Sequence, residues 1–278
     1  MPEMPTSPRP DAFSRREAVS NIVLPPPSWM ERYGRFFWGV LGIAAILLLW
    51  QLAALAALVD PLFVSSPLAI LRAAVQLIPS REFAQNFFST AESLFLGLAI
   101  AFVVGVVVGL PTGWFPTLHA ILEPIIAAVY AVPYIAFLPV VIMWTGIGTT
   151  SRVIIVTWSA IFPLIINSIQ GAREVDEDYL RVGRSFSGTN MQIFFTITLP
   201  ASMPYILAGL RTSIGRAIVG AVVAEFFMST RGLGYFINLK ANSLEMASAF
   251  VAVIVLALFG IILVSLVTYI ENRFCNWP

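Results

Sequence analysis

The sequence predicts an all-α integral membrane protein with six transmembrane helices and both termini in the cytosol. Three observations carry that expectation. Of the 278 residues, 58% are hydrophobic and 11% charged, against roughly 25% charged in a soluble domain, and the mean hydropathy is +0.86. Apolar segments of the ~20 residues needed to cross a bilayer core recur six times. The basic residues also fall unevenly between alternate loops.

Before Phe36 the chain has many prolines, scattered charge and no sustained apolar run. That composition suits a disordered cytosolic tail over residues 1–35, not a signal peptide, whose apolar core would sit close to Met1. The first span is Phe36 to Leu58. Leu68 to Ser80 is too short to cross and carries Arg72, so an interfacial helix is expected there. Further spans follow at about Ser93–Trp114, Pro124–Trp144, Arg152–Gln170, Pro204–Met228 and Met246–Ile270. The membrane domain thus covers residues 36–273, ahead of a short tail at 274–278.

Cation counting sets the sidedness. With the N-terminus inside, nine arginines are cytosolic, and only Arg72, Arg81, Arg152, Arg231 and Lys240 lie outside. The loop at about 171–200 is then cytosolic, and its charged run "EVDEDYLRVGR" (Glu174 to Arg184) interrupts a very apolar chain. Tyr179, Val182 and Phe186 recur at i, i+3 and i+7, one stripe of a short helix. Asp176, Glu177 and Asp178 stand at its N-terminus, where negative charge suits the helix dipole. "SGT" breaks the helix and "NMQIFFTITLP" resumes it. A protruding helix with an apolar stripe and charged flanks fits docking into a groove on a soluble partner; a solvated loop with ordinary caps is the alternative.

Other classes are disfavoured. Net charge is +1 and no basic cluster tracks phosphates, so nucleic acid is not an expected partner. One cysteine, Cys275, excludes an intrachain disulfide, and the lone His119 reads as a polar loop residue; no metal site is expected. With no HExxH and no nucleophile–base pair, the chain reads as no enzyme. It also lacks the Gly-Lys-Ser/Thr phosphate loop, so any ATP must be hydrolysed elsewhere. A self-contained channel or secondary transporter remains the alternative, although no internal repeat is visible between the halves.

The pattern "D…L…G-R-S-F…I-x-L-P", followed by "PYILAGLRTSIGRAIVGAVVAEFF" and "RGLGYFI", resembles the inner-membrane permease subunit of binding-protein-dependent ABC importers. Within that family it is most similar to the sulfonate/taurine/nitrate branch. "AVPYIAFLPVVIMWTGIG" (Ala131 to Gly148) extends the resemblance, which runs from about Ser66 to Arg273. The family's loop signature is Glu-Ala-Ala, three residues, Gly, nine residues, Ile, one residue, Leu-Pro. Ile197, Leu199 and Pro200 match its end; counting back puts Arg181, Val182 and Gly183 at Glu-Ala-Ala and Ser187 at the Gly, a departure at four positions.

The resemblance implies a type I ABC importer permease in a bacterial inner membrane. It implies a coupling helix seated in a cytosolic ABC ATPase subunit through Asp178, Tyr179, Leu180, Arg181, Val182, Gly183, Arg184, Phe186, Ser187 and Gly188. Implied partners are two ATPase copies holding ATP and Mg, a second copy of the permease, a periplasmic or lipid-anchored solute-binding protein, and lipid. The permease pair would pass a small, anionic solute such as a sulfonate.

Charge inside the spans bears on the pathway. An arginine at helix centre costs ~2.5–3.5 kcal/mol on insertion scales and usually faces a bundle interior or a water-filled cavity. Arg216 lies about 18 Å along the helix from Pro204, near mid-membrane, and is expected either to line the pathway or to find an interhelical partner. Arg211, closer to the cytosol, is expected to be a snorkelling or interface arginine. Glu225 should lie near the outer end, about 180° around the helix from Arg216, so the two cannot pair. Pro133 and Pro139 interrupt the third span and Pro163 the fourth, which is tolerated where neighbours or a cavity satisfy freed carbonyls. Pro133, Tyr134, Phe137, Met143, Trp144 and Asn167 join Arg216 and Glu225 as candidate pathway residues, with aromatic-belt and interhelical roles as their alternatives. Gly97, Gly105, Gly109 and Gly209 should permit close helix approach.

Overall fold

A computed structural model describes residues 29–56, 58, 60 and 63–274, and among them the secondary structure is entirely helical. Of the tail expected over residues 1–35, residues 1–28 lie outside the described residues, as do residues 275–278 at the C-terminus, whereas residues 29–35 are helical and open the first helix. The chain divides into two units, 1–52 and 53–278. The first holds most of helix α1 (Trp29–Leu55), apolar all round from Phe37 onward.

In the second unit α2 (Pro67–Leu77) is the short helix expected at the interface; the Ser66 hydroxyl accepts from the Ala69 N–H as its cap. Helix α3 (Arg81–Trp114) starts twelve residues before the expected second span, because Ser80 caps it by accepting from the Phe83 N–H. Helix α6 (Thr149–Arg173) is the fourth span, α8 (Met203–Met228) the fifth and α10 (Met246–Phe274) the sixth.

The third span departs from expectation. It was expected to run from Pro124 to Trp144 as one proline-kinked helix. Instead α4 (Pro116–Ala131) ends at extended Val132 and Pro133, and the chain resumes as a 3₁₀ turn (Tyr134–Phe137) and α5 (Leu138–Thr145). The two halves are bent by 77°. Proline disfavours helical geometry in the residue before it and has no N–H to bond across the break, so Val132–Pro133 is where the helix gives way. Among the described residues, five helices are long and apolar enough to cross a membrane, and with this broken pair they make up to six crossings.

The core forms around α6. A Cβ on Gly97, Gly105 or Gly109 of α3 would come within 2.5–2.6 Å of Val156, Leu164 or Ser168 respectively. Each partner lies equally far along the chain from its glycine, so α3 and α6 run parallel. Helix α8 runs antiparallel to them: Gly209 meets Asn167, the Ser213 hydroxyl donates to the Ala160 carbonyl (2.7 Å), and Gly220 meets Ser159. Leu94, Val156, Leu164, Ile214 and Ala221 are among the buried residues between these helices. Two parallel spans and one antiparallel are what alternation of the second, fourth and fifth crossings requires.

Candidate coupling surface and translocation pathway

The charged loop folds as helix, turn, helix. Helix α7 (Glu177–Ser185) starts at Asp176, whose carboxylate accepts from the Asp178 N–H at 2.9 Å. Beyond the turn, Thr189 and Gln192 form a capping box for Asn190–Ile193, a π turn spans Phe194–Thr198, and Leu199–Ala201 leads into α8. The stripe points outward: Tyr179 and Val182 are exposed and Phe186 is 83% exposed. Arg181 bonds back to Asp178 at 3.2 Å on the surface, and Arg184 is exposed in the last turn.

The opposite face of α7 is held by the second arm. A Cβ on Gly183 would meet Ile197 Cδ1 at 2.8 Å, one on Gly188 would meet the Gly183 carbonyl at 2.9 Å, and Leu180 on the same side is half-buried. Both glycines let the arms close. Ser187 takes φ 59°, the left-handed region that glycine occupies at least cost. This is the position where the resembled signature has its glycine, the residue that this conformation favours.

The candidate pathway residues do not share one environment. Pro133 is exposed at the break, Tyr134 is half-buried beside it, and Phe137 stacks on Trp158 at 4.9 Å. Met143 and Trp144, at the end of α5, are 84% and 77% exposed. Asn167 is half-buried and donates to the Pro163 carbonyl of its own helix at 2.8 Å. Arg216 is exposed on α8 and donates to the Tyr130 hydroxyl at 3.3 Å. Tyr130, which sequence reasoning did not single out, packs in turn on Phe162.

Glu225 is elsewhere and fully buried. Its carboxylate accepts from the Thr90 hydroxyl (2.8 Å), the Gly234 N–H (2.7 Å) and Arg152 Nη1 (3.4 Å). Arg152 is itself buried and also donates to the Ser89 and Thr149 hydroxyls. Thr90 Oγ1 accepts from the Leu233 N–H and Asn86 Oδ1 from the Gly232 N–H. Three successive N–H groups, at Gly232, Leu233 and Gly234, are therefore capped by side chains of α3 and α8. They open helix α9 (Leu233–Asn242), formed by the "RGLGYFI" segment, and satisfy donors that a helix start otherwise leaves unpaired. A Cβ on Gly232 would sit 2.3 Å from Glu225 Cδ, so glycine alone admits the carboxylate. Beside this cluster opens a cleft of ≈ 510 Å³ lined by Gln85, Ser89, Glu92, Arg152 and Arg231.

Two further polar groups escaped the sequence. Arg211, expected as a snorkelling or interface arginine, pairs with Glu271 of α10. His119, read as a loop residue, lies on α4 between Glu123 (3.2 Å) and Arg173 at the end of α6. In both cases the signal was the level in the membrane: alternation puts each pair at the same end of its helices.

With that geometry in view, comparison with known proteins gives a consistent picture. The family described as "binding-protein-dependent transport system inner membrane component" matches residues 101–275. The chain is 28% identical to the taurine transport system permease TauC of Escherichia coli K12 over 84% of its length and 87% of that protein. It is 25% identical to the formylaminopyrimidine transport permease ThiX of Halalkalibacterium halodurans (84% and 92% covered). It is 28% identical to the nitrate import permease NrtB of Synechocystis (83% and 86%). Among solved structures, a bacterial alginate ABC transporter in complex with a pentasaccharide-bound periplasmic protein has a chain that aligns with TM-score 0.60 and 14% identity over 89% of this chain and 97% of that one. At that identity the likeness speaks for the fold.

Proposed function

We propose that this chain, which belongs to the family of binding-protein-dependent transport-system inner-membrane components, passes a small oxyanion such as a sulfonate across a bacterial inner membrane as one of two permease copies. It is the transmembrane subunit of an ABC importer, and its partners are an ATPase and a solute-binding protein. In the proposed assembly two ATPase subunits hold ATP and Mg, and each receives one coupling helix.

The observation that carries this reading is the outward stripe of Tyr179, Val182 and Phe186 on a helix braced from behind by Ile193 and Ile197. Large apolar side chains held out on a capped, braced helix suit insertion into a groove. Asp178, Arg181 and Arg184 flank that insertion, and Leu180, Gly183, Ser187 and Gly188 hold its shape. ATP-driven closure of the two ATPase subunits would move α7, and with it the spans that α7 joins.

The solute class rests on Arg216. Solutes named among the relatives range from taurine and nitrate to a pyrimidine, and among this chain's own residues Arg216 favours an anion. An exposed guanidinium halfway along a membrane helix is costly unless it faces water or a counter-charge, and an anion in transit supplies the charge. Pro133, Tyr134, Phe137, Met143 and Trp144 at the elbow would flank that route.

Proteoliposomes holding the permease, its ATPase and its solute-binding protein test the reading with radiolabelled taurine and nitrate. ATP-dependent uptake of either, abolished in Phe186→Asp while ATP hydrolysis continues, is the expected result. Uptake by the permease alone would overturn it in favour of a self-contained transporter, and wild-type rates in Arg216→Ala would remove Arg216 from the pathway.

A further inference from the structure

We propose that the groove between α4 and α6 is the cytosolic half of the anion route, with Arg216 and Tyr130 at its inner end and His119 and Arg173 at its mouth. The proposal rests on the importer reading above and extends the path from Arg216, the one residue it shares with those named from sequence, to His119 and Arg173.

The groove is a cavity of ≈ 230 Å³ lined by His119, Glu123, Ile126, Tyr130, Ile166 and Ile169. That is below the range of drug-sized pockets, ≈ 300–1,000 Å³, and suits a small solute. His119, Glu123, Ile126 and Tyr130 follow one face of α4, with Tyr130 about 16 Å from His119 at helical rise. Cationic or donor groups stand at both ends and apolar walls lie between. At the inner end Arg216 Nη2 reaches the Tyr130 hydroxyl at 3.3 Å, and both side chains are exposed. At the mouth the Arg173 guanidinium meets His119 Nε2, with a Glu123 oxygen 3.2 Å from the same nitrogen.

This arrangement has the properties a transit path needs: attraction strong enough to draw the ion in, weak enough to let it leave. Two separated stations with an apolar stretch between them hold an anion only briefly at each. Glu123 at the mouth offsets part of the charge of Arg173, so the last station releases rather than retains.

Thiol labelling tests the groove without knowledge of the solute. Ile126→Cys, made in a Cys275→Ser permease assembled with its ATPase, is exposed to two probes: anionic methanethiosulfonate ethylsulfonate, itself a sulfonate, and its cationic trimethylammonium analogue. Relative to free cysteine, the ratio of anionic to cationic labelling rates should rise roughly tenfold, the low end of electrostatic focusing in a charged cleft. Arg216→Gln or Arg173→Gln should each bring the ratio back towards the free-cysteine value. Ile166→Cys, on the facing helix, should report the same preference and guards against misfolding of the first variant. No labelling at either position, or a ratio at or below that of free cysteine, would overturn the proposal. Anion-selective labelling alongside unimpaired coupling in Phe186→Asp would leave the groove standing and remove the docking assignment instead.

Discussion

Arg152 and Glu225 form a buried ion pair, 3.4 Å apart, at the end of the helix core where α3, α6, α8 and α9 meet. Neither side chain has more than 4% of its surface exposed. Taking two charges out of water is expensive, and breaking such a pair by removing one partner typically costs about 3–5 kcal/mol because the other charge remains buried. Glu225→Ala should therefore lower the midpoint of thermal unfolding in detergent sharply. Glu225→Gln, which can still accept from Thr90 and the Gly234 N–H, should lower it less. A Glu225→Leu/Arg152→Met double variant should recover part of the loss of Glu225→Ala. If Glu225→Ala and wild type unfold together, the pair contributes nothing to stability.

The glycine seam makes a prediction with an internal control. A Cβ on Gly105 would lie 2.6 Å from the Leu164 Cβ across the α3–α6 contact. Gly105→Val should force the helices apart, at about 1–3 kcal/mol for overpacking. Gly215, on an exposed side of α8, has nothing within 4 Å of where a Cβ would stand. Gly215→Ala should instead stabilise by about 0.5–1 kcal/mol through lost backbone entropy in the unfolded chain. Thermal unfolding of both in detergent checks the contrast; equal effects would mean that helix approach does not depend on the seam.

These two regions differ in how far the sequence disclosed them. Gly97, Gly105, Gly109 and Gly209 could be read as contact positions because small residues at helical spacing in an apolar segment have few other uses. The helix–turn–helix of the charged loop was equally legible, since Tyr179, Val182 and Phe186 share a period and acidic residues precede them. The elbow at Val132–Pro133 was not. Proline marks a place where a helix can bend, but whether it kinks or breaks depends on what packs around it, and α4 has no buried residue to hold it straight. Glu225 could be placed at the outer end but not paired, because its partner Arg152 lies 73 positions away and looked like a loop cation. The Gly232 and Gly234 contacts that enclose the carboxylate are likewise invisible without the fold.

Ser187 gives a test of the coupling turn. At φ 59° a serine is strained where glycine is not. Ser187→Gly should retain the turn and leave ATP-driven uptake at or above wild type. Ser187→Val, β-branched in the same region, should weaken coupling because the Gly183 and Gly188 contacts behind it no longer close. The readout is uptake per ATP hydrolysed in proteoliposomes. Equal coupling ratios for the two variants would mean that the turn geometry is immaterial to docking.

Arg211 and Glu271 join α8 to α10. Both are partly shielded, with side chains 37% and 25% exposed, so neither solvent nor lipid can replace the partner fully. Hydrogen bonds to charged groups contribute about 1.5–3 kcal/mol net, and reversing one sign adds repulsion. Arg211→Glu alone should therefore lower the unfolding midpoint, and Glu271→Arg alone should do the same. The double variant Arg211→Glu/Glu271→Arg restores opposite charges at the same level of the membrane and should recover most of the loss. A snorkelling arginine with no partner would behave differently: Arg211→Glu would cost whatever its own exposure dictates, and Glu271→Arg would give no rescue. The double-variant cycle, read by thermal unfolding and by uptake, separates a bond between helices from a side chain that merely reaches the cytosolic surface.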